Sequence, residues 1–63
     1  MEREDIKVAG FREIGLLHIN AAQFQCEVTE LAVAGGSVAR IAIKGSPDGL
    51  RRLYEYVEES LKK

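Results

Sequence analysis

One cysteine and one histidine in a chain of 63 residues leave it without the crosslinks that reinforce most domains of this size. Cys26 has no partner for an internal disulfide, and Cys26 with His18 falls short of the four ligands of a structural zinc site. No other cofactor or metal site is expected. Domains this small bury little apolar surface relative to what their unfolded chains expose. Association of identical copies is the remaining means of reinforcement, so a homo-oligomer, a dimer or higher, is expected.

The length allows one domain, residues 1–63. Apolar side chains at 46% and charged ones at 30% exclude a disordered chain and point to a compact soluble fold. The longest stretch without a charge, Ile14 to Gln25, contains His18, Asn20 and Gln23 and is too short and polar to cross a bilayer. The opening Met1-Glu2-Arg3-Glu4-Asp5 mixes both signs, unlike a signal or transit peptide. With a single unpaired cysteine, this leads to the expectation of a cytoplasmic protein.

Alternation is cleanest from Phe24 to Thr29, where Phe24, Cys26 and Val28 fall on one face of an expected strand over about 23–34. Leu31 and Val33 continue the apolar series on odd positions, so a bulge is expected near Glu30. Ala34-Gly35-Gly36-Ser37 supplies a hairpin turn, and a returning strand over about 38–44 places Ala39, Ile41 and Ile43 on one face and Val38, Arg40, Ala42 and Lys44 on the other. Gly45 ends it. Ser46-Pro47-Asp48 is a helix start, with an N-cap serine, proline in the first turn and an acid at the positive dipole end. The helix expected over about 47–62 carries an apolar stripe of Leu50, Leu53, Tyr54, Val57 and Leu61, with Arg51–Glu55, Glu58–Lys62 and Glu59–Lys63 as i,i+4 pairs elsewhere on its surface.

The first third is read as two short strands, about 6–9 and 14–19. A helix from Phe11 to Ala22 is the alternative, because Phe11, Ile14, His18 and Ala21 also fit a period of 3.6. Gly15 within the segment, and the β-branched Ile14 and Ile19, favour the strand. The expected fold is therefore α+β and two-layered: an antiparallel meander of three to four strands with one C-terminal α-helix packed on one face. A single helix covers part of such a sheet, leaving a face or edge with Val38, Ala42, Leu17 and Ile19 to hide.

The residues that carry chemistry are few. His18 and Cys26 could meet across neighbouring strands as a thiol pair and form a ligand or thiol site at a subunit boundary, although Cys26 on the core face reads as structural. The acids of the C-terminal helix are each offset by a basic residue one turn away and read as surface charge. Gly35-Gly36-Ser37 lacks the phosphate-loop spacing, and Asp48 opposes an anion at the helix start. Arg40 and Lys44 on the last strand, with Arg51 and Arg52 early in the helix, compose a basic patch suited to a few phosphates or an acidic protein surface. Overall the nine basic and ten acidic residues give a charge of −1, which argues against binding dominated by phosphate neutralisation.

The span Val28 to Pro47, a hairpin with an Ala-Gly-Gly-Ser turn, an isoleucine-rich strand and a proline before a terminal helix, loosely resembles the carbon storage regulators, small dimeric proteins that bind messenger RNA. The likeness covers a third of the chain. It departs at the charged Met1–Asp5, where that family has an alternating apolar strand, and at Asp48-Gly49-Leu50-Arg51, which is already helix where the family continues to a final strand and a basic residue. No family assignment follows from it. The expected function is a non-enzymatic, self-associating binding or regulatory module that works by protein contact. A dimeric RNA- or DNA-binding regulator using Arg40, Lys44, Arg51 and Arg52 is the alternative.

Overall fold

A computed structural model describes residues 1–35 and 38–63. Three strands and two helices follow in the order β1 (Arg3–Gly10), α1 (Phe11–Asn20), β2 (Glu27–Ala34), β3 (Val38–Gly45) and α2 (Pro47–Leu61), with a short 3-10 turn at Ala22–Phe24. The expected α+β architecture is present: a three-stranded antiparallel sheet with a C-terminal helix against one face.

Its strand order, β1-β3-β2, is not that of a meander. Both β1 and β2 pair antiparallel with β3 and so run parallel to each other, with α1 making the crossover. This is a split β-α-β unit followed by a helix. Parallel strands cannot be joined by a tight turn and need a long crossover, which α1 supplies here.

The strand expected over 14–19 is accordingly wrong. Leu17 and Ala21 are buried at helical spacing, with Ile14 partly buried on the same side, and Asn20 donates from Nδ2 to the Leu16 carbonyl at 2.9 Å. Burial of that stripe outweighs the helix cost of Gly15 and the β-branched residues. A Cβ built on Gly15 would meet nothing within 4 Å. Gly15→Ala is therefore expected to raise stability by about 0.5–1 kcal/mol in a denaturant titration; a loss would mean that α1 is misassigned.

The strand expected from residue 23 begins only at Glu27. After α1, Gln25 takes a left-handed conformation (φ 58°), its N–H donates to the Ala22 carbonyl, and the Cys26 N–H reaches back to the Ala21 carbonyl at 2.8 Å. This is a Schellman-type helix stop with glutamine where glycine is usual. The Phe24–Cys26 alternation is a by-product of that turn.

The rest of the sheet follows expectation. The β2–β3 register slips between Glu30 and Ala32, leaving Leu31 as the extra residue of the bulge. Ala34 pairs with Val38 across the hairpin, and Gly35 has φ +67°; Gly36 and Ser37 of the expected turn lie outside the described residues. In β3, Ala39, Ile41 and Ile43 point into the core, while Val38, Arg40 and Lys44 point away.

In α2 the Ser46 hydroxyl accepts from the Gly49 N–H at 3.0 Å, and Pro47 opens the first turn. Leu50, Leu53 and Val57 are buried, with Tyr54 and Leu61 at the margin. Both helices lie on the same side of the sheet, and one core joins Leu17 and Ala21 of the α1 region, Ile41 and Ile43 of β3, and Leu50, Leu53 and Val57 of α2. No helix among the described residues is long and apolar enough to cross a membrane.

Candidate interaction surface

Two helices on one face of the sheet leave the other face bare. The register fixes what it shows. Glu4 of β1, Lys44 of β3 and Glu27 of β2 form one row; Ile6, Ala42 and Thr29 the next; Val8, Arg40 and Ala32 the third. Ile6 is 54% exposed, Val8 69% and Val38, at the hairpin end, 37%. Branched apolar side chains this open, next to one another on one sheet face, form a patch rather than isolated surface residues.

β1 inverts the usual pattern. Its apolar residues Ile6 and Val8 face water, whereas Asp5 and Lys7 lie on the helix side, half-buried at the sheet edge. Tyr54 of α2 donates its hydroxyl to Asp5 Oδ2 at 3.2 Å, and burial first, then the Asp5 charge, pushes its pKa up to about 12. Lys7 sits over the Tyr54 ring, with Nζ 5.1 Å from the centroid, and pairs with Glu13 of α1. Charged residues turned inward at an edge are satisfied here by partners on both helices. The alternation Asp5-Ile6-Lys7-Val8 was the available sequence signal for this arrangement.

The four residues of the expected basic patch are not brought together. Arg40 and Lys44 stand on the bare sheet face, whereas Arg51 and Arg52 stand on α2, across the thickness of the domain. The α2 arginines converge on Asp48, Arg51 at 2.6 Å and Arg52 at 3.3 Å, in place of the expected i,i+4 pairing of Arg51 with Glu55. The Arg51 hydrogen bond, reinforced by the nearby Arg52 charge, holds the Asp48 carboxyl below its ordinary pKa. Lys44 pairs with Glu2 at 3.5 Å, while Arg40 makes no ion pair among the described residues. Glu2, Glu4 and Glu27 surround Lys44, so this face is mixed in charge.

His18 and Cys26 are also separated. His18 Nε2 lies 3.4 Å from Glu30 Oε1, between α1 and β2. Cys26 sits instead where β3 passes into α2: a Cβ on Gly45 would come within 2.7 Å of its sulfur, and burial pushes the thiol pKa up. A raised pKa disfavours the thiolate that reactive cysteines need. Of the other residues expected to need cover, Leu17 is already in the core, Ala42 is already buried on the sheet at 6% exposure, and Ile19 is exposed on α1.

At the hairpin end of the sheet, Phe11, Ile14 and Gly15 of α1 and Glu30, Val33, Val38 and Ala39 of the hairpin line an open cleft of about 310 Å³. Among the described residues its lining is apolar except for Glu30 and brings no nucleophile and base together. Among the described residues no group of three or more His, Cys, Asp or Glu is placed to hold a metal ion.

No family model, curated protein or solved structure matches the chain.

Proposed function

We propose that the protein is a non-catalytic interaction module that works as a homo-oligomer, with the bare sheet face of one copy sheltered by the same face of another. The observation that carries this reading is the exposure of Ile6 and Val8 together on a face that no helix covers. Burying two branched side chains contributes about 1.5–3 kcal/mol each, which is a substantial part of the stability of so small a domain. The mixed charges around them suit a surface that meets its own copy, because Arg40 and the glutamates offer both signs.

The nucleic-acid reading has less support. It loses the doubled patch once Arg51 and Arg52 are on the far side and paired with Asp48, and Lys44 is hemmed by acids. The self-association reading is tested by Val8→Lys, a charge at an exposed position that should leave the fold intact. Circular dichroism is expected to be unchanged while the mass by sedimentation equilibrium falls. A Val8→Lys protein with the mass of the unaltered chain would eliminate the face as an interface.

A further inference from the structure

The area of the bare face raises a difficulty that the edge of the sheet resolves. Three strands of eight residues span roughly 14 Å by 27 Å, on the order of 400 Å² per copy. A stable specific interface needs about 800 Å² per partner. A sheet of twice the width would supply it.

β1 is an edge strand, paired among the described residues with β3 alone, eight residues long and free of proline and bulge. Its other edge, with unpaired N–H and C=O groups, is a ready template for another strand. The opposite edge of the sheet, β2, carries the bulge at Leu31 that disturbs such pairing. We propose that two copies pair their β1 strands antiparallel about a two-fold axis at Ile6, giving one six-stranded sheet whose enlarged bare face meets another.

Side-chain parity and charge together select the register. Residues opposite one another in an antiparallel pair point to the same side, so a two-fold normal to the sheet has to pass midway between one residue and its own copy. An axis at Glu4 sets Glu4 against its copy in a short overlap. At Asp5 it sets Asp5 against Asp5, and Arg3 against Lys7. At Lys7 it sets Lys7 against Lys7. An axis at Ile6 sets Asp5 against Lys7 twice, Ile6 against Ile6, Glu4 against Val8 and Arg3 against Ala9. An axis at Val8 opposes no like charges, but it pairs only residues 6–10. The Ile6 register avoids like charges over the longest overlap. It also sets Ile6 and Val8 of both copies side by side at the centre of the wider face, with all helices on the other side.

The argument from area rests on the face being an interface; the pairing of edges does not. Amide hydrogen exchange on the unaltered protein tests the edge without any variant. In an oligomer, every amide from Glu4 to Val8 is expected to be protected, and increasingly so with concentration. If alternate amides of β1 exchange freely in a sample that sedimentation shows to be oligomeric, edge pairing is refuted while the face reading stands. Charge reversal gives the second arm. Lys7→Asp turns two attractive pairs repulsive and should weaken edge association about tenfold or more, and adding Asp5→Lys should restore it. Equal association by the folded single and double variants would refute the Ile6 register. Val8→Lys, which places a cation opposite Glu4 of the other copy, is expected to stop at the edge-joined dimer. A Val8→Lys monomer would contradict edge pairing.

Discussion

Leu53→Ala is expected to cost about 3 kcal/mol and to lower Tm by roughly 15 °C at fixed protein concentration. Leu53 is fully buried on α2 and belongs to the cluster that joins both helices to Ile41 and Ile43. Its truncation removes the transfer energy of the side chain and leaves a cavity between layers that are each anchored elsewhere and cannot collapse fully. A domain of this length has a total stability of roughly 3–9 kcal/mol, so the variant should lie near the limit of folding at 37 °C. A fall of less than about 4 °C would show that the α2 stripe does not face the core.

Gly49→Ala should destabilise, against the usual sign. An alanine in place of an exposed helical glycine ordinarily gains about 1 kcal/mol. Here a Cβ would stand 2.6 Å from the Phe24 carbonyl oxygen and 3.0 Å from the Ser46 hydroxyl that caps the helix. Backbone has to yield, because Phe24 is held in the turn that ends at Gln25, and the cost is expected to be about 1–3 kcal/mol. The contrast with Gly15→Ala separates packing from propensity within one protein. Equal gains from the two substitutions in urea titrations would contradict the close approach of α2 to the turn.

Where the signals are local, the sequence reads correctly. Ser46-Pro47-Asp48 and the spacing of Leu50, Leu53 and Val57 define α2 without reference to the remainder of the chain. The change of parity after Glu30 reveals the bulge, and the glycines after Ala34 the hairpin. α1 depended on tertiary context: Ile14 and Ile19 favour a strand by propensity, but Leu17 and Ala21 have a core to enter only if the segment coils. The helix stop was hidden because Gln25 occupies a conformation that usually advertises itself as glycine or asparagine. That single residue made Phe24 to Cys26 look like strand.

The interaction surface was legible in part. Arg40 and Lys44 do share an outward face, as the alternation of β3 implies. Their separation from Arg51 and Arg52 follows from the layer that α2 joins, which no one-dimensional pattern states. Ile6 and Val8 were visible as a strand, but their outward direction comes from β1 being an edge whose Asp5 and Lys7 find partners on the helices. The bare face is thus a consequence of topology more than of composition.

Sedimentation equilibrium on the unaltered chain, from micromolar to millimolar concentration, bears on this most directly. A mass that rises to an even multiple of 7.0 kDa is the expected result. A folded species that stays at 7.0 kDa throughout that range would mean that Ile6 and Val8 stand in water by themselves, and the sheet would have no role as an interface.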